Sequence, residues 1–173
     1  MHAELAAENF DFLLADPATD WQRLVRRYAE NARGENLPAD HVRSAFLLAD
    51  VDGDVVGRVS IRFELNEYLR QFGGHAGYAV AARYRRRGYA REILRQAVQI
   101  LNDAGVTQVL VTCPDANEAS ARTIESCGGT LENTVIAPTV CPCGGTGSHR
   151  TDPTTTRRKR NVGHRLVPHI CVR

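Results

Sequence analysis

Thr19 to Gly34 carries apolar residues at helical spacing, with Trp21, Leu24, Val25 and Tyr28 on one stripe. Thr19 and Gln22 stand at capping-box spacing where the stripe begins, and Gly34 suits its stop. A polar stretch containing Pro38 follows. Ala45 to Val51 and Val55 to Phe63 then read as two strands around Asp52-Gly53, a dipeptide that tolerates the positive φ of a tight hairpin turn. In the second strand Val55, Gly57, Val59, Ile61 and Phe63 alternate with Val56, Arg58, Ser60 and Arg62. One face is therefore expected in the core, and the other, mostly polar, is expected to be solvated or to face a substrate. Glu64 to Tyr68 leads into a loop ending at Gly73-Gly74.

A short apolar strand, Gly77 to Ala82, runs through Arg83-Tyr84-Arg85-Arg86-Arg87-Gly88 directly into a helix. Ala90, Ile93, Leu94, Ala97, Val98 and Leu101 form its apolar stripe, and Gly105 is the expected stop. Val106 to Cys113 reads as a buried strand. Asp115-Ala116-Asn117 starts a further helix that ends at Gly128-Gly129. Strand, helix, strand, helix in this order predicts a parallel strand pair joined by a crossover, within a mixed α/β fold.

Composition narrows the class. The chain has 173 residues, 43% of them hydrophobic and 24% charged, which suits one globular domain with a full core. No run approaches the roughly 18 apolar residues of a membrane span, and the start lacks a basic-then-apolar leader pattern. The expected location is the cytoplasm, with no membrane partner. The net charge of +2 is uneven. From Ala137 onward seven basic residues face one acid, Asp152, so the tail carries +6 and residues 1–136 carry −4. Nucleic-acid binding would rest on Arg157-Arg158-Lys159-Arg160 alone, which makes it the weakest class.

The chemistry concentrates between Val80 and Ala90. A strand turning straight into a helix leaves the first four helical N–H groups without partners, and with the helix dipole these form an anion site suited to a pyrophosphate. Gly88 allows close backbone approach, Ala90 keeps the helix near the strand, and three successive arginines add positive charge. A short loop with solvated arginines is the competing reading of the same residues.

Arg85-x-x-Gly88-x-Ala90 resembles the acetyl-CoA signature of the GNAT acetyltransferases. A second segment, Asn117, Ser120 and Gly128-Gly129, resembles that family's next motif at the family's spacing. The wider stretch from Glu64-Leu65-Asn66 through Gly74-His75-Ala76-Gly77-Tyr78 to Leu131-Glu132-Asn133 looks like a predicted-acetyltransferase branch. The resemblance covers roughly residues 20–135. It implies an acyl-CoA N-acyltransferase fold and acetyl-CoA as co-substrate. It also implies direct attack by an amine in a ternary complex, with no metal. Arg85, Arg86, Arg87, Gly88, Tyr89 and Ala90 would hold the pyrophosphate. Val80 and Ala82 would bind pantetheine as an added strand, and Asn117 and Ser120 would make further CoA contacts. An amide N–H would stabilise the oxyanion, and a base or ordered water would deprotonate the amine. His75 and Glu64 are the candidate bases, with Glu67 beside them. Many family members carry a Tyr acid seven residues after the Asn, and that position is Ile124 here. Another group then protonates the thiolate, or it leaves unassisted, as a thiol pKa of about 8.5 allows.

The family fold ends with two further strands. Thr134 to Val140 supplies one, but Val162 to Val172 is interrupted by Pro168 and shows no convincing alternation. The expectation is a GNAT domain over residues 1–136 with atypical, incomplete C-terminal strands, and a basic tail over 137–173. That tail reads as disordered, as out-of-frame translation, or as a metal site from Cys141, Cys143, His149, His164, His169 and Cys171. The last spacing is irregular for zinc. Cys113 and Cys127 are expected as reduced thiols.

The function expected is N-acetyl transfer to a primary amine of a small molecule or peptide. The alternatives are a non-catalytic CoA-binding or scaffold protein and, among enzymes, an aminoglycoside-type antibiotic N-acetyltransferase. Exposed strand edges would also invite a homodimer.

Overall fold

The protein is described by a computed structural model over residues 13–14, 20–137 and 165–172. Helix α1 spans Trp21–Arg33. Its N-cap is Asp20, whose carboxylate accepts the Arg23 N–H at 3.0 Å. The capping-box spacing assigns that role to Thr19, which lies outside the described residues; Asp20 meets the same need with a charged acceptor at the positive end of the helix dipole. Gly34 closes α1 in the left-handed conformation, with φ 76°. Leu24 is buried, but Trp21, on the same predicted stripe, is 60% exposed.

Strands β1 (Ser44–Val51) and β2 (Asp54–Arg62) form the expected hairpin. Asp52 and Gly53 both take positive φ, and Asp50 Oδ1 accepts the Gly53 N–H at 3.1 Å. Where a polar loop is expected, Leu69–Gly73 winds into a π-helical turn, started by Asn66 Oδ1 accepting the Leu69 N–H at 2.8 Å. β3 (Ala76–Val80) then returns antiparallel to β2. The first sheet has the order β1-β2-β3.

One face of this sheet presents Leu47, Val59, Ile61, Ala76 and Val80 to α2 (Tyr89–Asp103). Ile93, Leu94, Ala97, Val98 and Leu101 of α2 are all buried there, as the stripe predicts. A side chain at Gly57 would place Cβ 2.5 Å from the Ala79 carbonyl oxygen and 2.9 Å from Ile93 Cδ1. The opposite face differs from its polar pattern. Arg58 is only 3% exposed, donates to the Gly77 carbonyl at 2.8 Å and lies 5.8 Å from the Phe46 ring centroid. Tyr28 of α1 stacks on Phe46 at 4.7 Å, so α1 roofs this side and the arginine is not solvated.

The second sheet holds β4 (Val109–Thr112), β6 (Arg165–Val172) and β5 (Thr130–Ala137), in that order and antiparallel throughout. Residues 165–172, which show no convincing alternation in the sequence, nevertheless form a strand, so the expected incomplete C-terminus holds both terminal strands. Pro168 does not break β6, for a physical reason. β4 pairing ends at Thr112–His169, so Pro168 has a ladder neighbour only on the β5 side, at Thr134. The rest of the tail, with Cys141, Cys143, His149 and His164, lies outside the described residues.

Helix α3 (Glu118–Ser126) connects β4 to β5 and buries Ile124. The expected parallel pair is corrected here: β3 and β4 form no ladder, because each is paired on one side only, β3 with β2 and β4 with β6. They come together at the start of β3, where the His75 N–H donates to the Leu110 carbonyl at 2.7 Å. Among the described residues no helix is long and apolar enough to cross a membrane.

Gly57→Ala forces a backbone shift or drives Ile93 away, so it should lower the unfolding free energy by about 1–3 kcal/mol in urea titration. An unchanged midpoint would mean that α2 does not approach β2 this closely.

Candidate active site

The backbone groups of β3 are sorted by its pairing with β2. The Ala81 N–H donates to Val56 and the Arg62 N–H to the His75 carbonyl. In an antiparallel register this turns the groups of Gly77 and Ala79 toward β2, and those of Tyr78 and Val80 away from it, toward β4. Past the His75–Leu110 contact, β3 therefore offers an unladdered edge. The Val80 carbonyl on that edge accepts from Arg85 Nε at 3.1 Å. Ala82 begins a short 3-10 turn, Ala82–Tyr84, and its carbonyl accepts the Arg85 N–H at 3.1 Å.

At the top of the edge, the chain enters α2 through two left-handed residues, Arg86 (φ 63°) and Gly88 (φ 85°). Gly88 is the N-cap and no side chain caps the helix. The first main-chain bond of α2 is Glu92 N–H to the Gly88 carbonyl, so the N–H groups of Gly88, Tyr89, Ala90 and Arg91 precede the helical ladder. A Cβ at Gly88 would meet no atom of the described residues within 4 Å, so there is open space beside the N-cap. Arg83 and Arg87 lie over the Tyr84 ring, at 4.8 and 5.8 Å from its centroid, and the Tyr84 hydroxyl donates to Asp54 Oδ2 at 2.9 Å. Tyr84 thus ties the loop to the β1–β2 hairpin, a link between residues 30 apart in the chain that no local pattern signals.

Glu92, an acid in the first turn of α2, would oppose an anion bound there. Its carboxylate is turned along the helix instead, to Arg95 at 2.7 and 2.9 Å and to Gln96 at 2.9 Å. The Arg95 hydrogen bonds, with help from Gln96, hold it down at about 2, so it stays ionised and compensated.

The second motif lies across the opening. Asn117 is the N-cap of α3, its Oδ1 accepting the Ser120 N–H at 3.1 Å. The Ser120 carbonyl accepts the Tyr78 hydroxyl at 3.4 Å, so a side chain of β3 reaches α3 beside the unpaired edge. Burial pushes the Tyr78 phenol up, against the side chains of Ser120 and Thr123, which pull it down, and it stays protonated at neutral pH. Ile124, at the position where the family's Tyr acid is expected, is 0% exposed in the core.

The two candidate bases are held differently. Glu64 is exposed just past β2, with Oε1 accepting the Arg43 N–H at 3.4 Å. His75 is partly buried at the foot of β3, and its Nδ1 accepts the Leu110 N–H at 3.0 Å. A neutral ring accepting at Nδ1 carries its hydrogen on Nε2. The geometry joins Val80, Arg85 and Gly88 at one end of the edge, Tyr78 and Ser120 in its middle, and His75 at its foot; no contact links Glu64 to them.

The chain belongs to the Acetyltransferase (GNAT) family, whose model matches residues 8–128. It is an acetyltransferase of that family, with the mixed α/β fold the sequence predicts. The fold is shared with a GNAT-family acetyltransferase of Streptococcus pneumoniae, at 17% identity and TM-score 0.57 over 98% of this chain and 91% of that one. It is shared too with yncA, a putative acetyltransferase of Salmonella typhimurium solved with its cofactor acetyl-CoA, at 15% identity and TM-score 0.57, over 98% of this chain and 83% of that one. The spermidine N-acetyltransferase of Vibrio cholerae, solved with CoA and spermine, aligns at 13% identity and TM-score 0.57 over 93% of this chain and 79% of its own. No curated protein matches the sequence.

Asn117→Ala removes the side-chain cap of α3 and should cost about 0.5–2 kcal/mol of stability in thermal or urea unfolding. Asn117→Asp should restore most of it, and equal losses in both variants would mean that the cap is not what Asn117 contributes.

Proposed function

We propose that this protein moves the acetyl group of acetyl-CoA to a primary amine of a small molecule or peptide by direct attack in a ternary complex. One observation carries the reading: among the described residues, the edge of β3 turned from β2 carries no strand ladder and runs straight into a helix N-terminus whose N-cap, Gly88, has no side chain. A pantetheine amide chain can satisfy the outward groups of Tyr78 and Val80 as an added strand would, together with Ala82. A pyrophosphate can take the N–H groups from Gly88 to Arg91, with Arg85, Arg86 and Arg87 supplying charge and Tyr89 and Ala90 framing the first turn. Asn117 and Ser120 border the other wall. Acetyl-CoA, when bound, supplies an acyl thioester already activated toward an amine.

Proton removal from the amine is assigned to Glu64, whose carboxylate is exposed, acting directly or through water. His75 would need the Nδ1 lone pair that Leu110 occupies. Tyr78 is assigned to protonate the leaving thiolate, since Ile124 has no proton to give. The acceptor class is drawn from the fold's relatives, which include an enzyme solved with spermine, and from the −4 charge of residues 1–136, which suits a cationic amine. A cytoplasmic location and a homodimer remain part of the proposal. A CoA-binding protein without turnover is the second reading, favoured by Ile124 alone.

Acetyl-CoA titrated calorimetrically into the full chain should bind one-to-one with micromolar affinity. Gly88→Asp places a carboxylate before the helix N-terminus and a side chain at positive φ, and should weaken binding about tenfold or more. Undiminished affinity in that variant would remove the pyrophosphate assignment. Tyr78→Phe should lower kcat by roughly tenfold to a hundredfold while leaving KM for acetyl-CoA nearly unchanged. An unchanged kcat would reduce Tyr78 to a strut between β3 and α3.

A further inference from the structure

His75 makes two hydrogen bonds to one residue. Its main-chain N–H donates to the Leu110 carbonyl at 2.7 Å, and its ring Nδ1 accepts the Leu110 N–H at 3.0 Å. In an antiparallel ladder two residues exchange such a pair between main-chain groups; here a side chain supplies the acceptor. The contact stands where the two three-stranded sheets touch, and beyond it β3 and β4 form no ladder.

The surroundings are built for close approach at this point. Gly74, at φ 62°, lies so near β4 that a Cβ would come within 2.7 Å of the Leu110 carbonyl oxygen and 3.3 Å of the Thr112 nitrogen. The Thr112 hydroxyl donates to the Phe72 carbonyl at 2.8 Å, fastening the π-helical turn to the same strand. Moving β4 outward by an ångström would break all three contacts together.

We propose that His75 is a positioning residue: its Nδ1, standing in for a main-chain carbonyl, pins Leu110 of β4 to the foot of β3 and thereby sets the width of the opening into which acetyl-CoA inserts. The inference rests on the acetyl-CoA reading of that opening. It separates His75 from base catalysis, because the nitrogen a base would use is the one holding the pin.

The pin is sensitive to acid. Burial holds the His75 ring below the ordinary histidine value, and the charges of Arg70, on the π-helical turn, and Arg62, on β2, add to the depression; the Leu110 carbonyl would favour a protonated ring, but the Leu110 N–H on Nδ1 favours the neutral one. A proton on Nδ1 could turn to the Leu110 carbonyl only by giving up the Leu110 amide. The folded state thus binds fewer protons at this ring than the unfolded chain does. Stability from the pin is complete above the ordinary histidine pKa of 6.5 and is lost as pH falls through the lower folded value.

His75→Asn and His75→Phe test this. The Asn amide oxygen can take the place of Nδ1 without titrating, whereas Phe leaves the Leu110 N–H without an acceptor. Acetyl-CoA affinity would be measured from about pH 5 to about pH 8, alongside kcat and KM for acetyl-CoA. The wild-type affinity should fall on the acid side. His75→Asn should stay within about threefold of wild type at neutral pH and lose the acid limb, while His75→Phe should raise Kd and KM about tenfold at every pH with a smaller change in kcat. A kcat loss of about a hundredfold or more in His75→Asn, with Kd unchanged, would make His75 a base and overturn the pin.

Should His75→Phe fail to fold, nitrogen NMR of the wild-type ring decides the matter alone. The pin requires an Nε2–H tautomer with Nδ1 bonded to the Leu110 amide, and an Nδ1–H tautomer overturns it. Failure of wild type to bind acetyl-CoA at any pH would contradict the cofactor reading while leaving that NMR result intact.

Discussion

Among the described residues β3 is laddered along one side and not along the other, and main-chain N–H and C=O groups away from water cannot be left without partners cheaply. Tyr78 and Val80 turn theirs toward β4, yet β4 is laddered to β6, and its main-chain hydrogen bond to the start of β3 is that of the His75 N–H to Leu110. Arg85 folds back to serve the Val80 carbonyl. The rest of the architecture follows from keeping this gap open. α2 fastens β2 and β3 from beneath, β6 holds β4 in a separate sheet, and the His75–Leu110 pair stops the two sheets from parting. A ligand with alternating amide donors and acceptors would complete the edge. Acetyl-CoA has those groups in its pantetheine arm and a pyrophosphate to match the bare helix end beyond it.

The same geometry distributes charge. Positive potential gathers at the top of the gap, from the helix dipole and the arginines around Tyr84. The nearest acid on α2, Glu92, is absorbed by Arg95 and Gln96. The body otherwise carries net negative charge, and the basic excess belongs to the C-terminal segment. On the proposed reading, that division would suit an anionic cofactor at one end and a cationic acceptor at the other. Arg58 is the exception, a guanidinium inside the sheet's second face whose bond to the Gly77 carbonyl makes it part of the scaffold.

Much of this was legible in the sequence, because short-range patterns carry it. The Asp52-Gly53 hairpin, the α2 stripe, the Gly88 turn and the Asn117 start of α3 are each specified within a few residues. What escaped depends on partners distant in the chain. Burial of Arg58 requires Tyr28 and Phe46 to close over it. The Tyr84–Asp54 and Tyr78–Ser120 links span 30 and 42 residues. β6 is hidden by Pro168, which is harmless only because β4 is one residue too short to pair there. His75 was visible as a candidate for chemistry, but not as a ligand of Leu110, since no spacing rule pairs positions 35 apart.

The measurement that tests the central claim most directly is residue-resolved amide hydrogen exchange with and without acetyl-CoA. If the cofactor completes the open edge of β3, the Tyr78 and Val80 amides should slow markedly on binding. Gly77 and Ala79, already bonded to β2, should change little. Slowing spread evenly along β3, or none at Tyr78 and Val80 under saturating acetyl-CoA, would contradict the account.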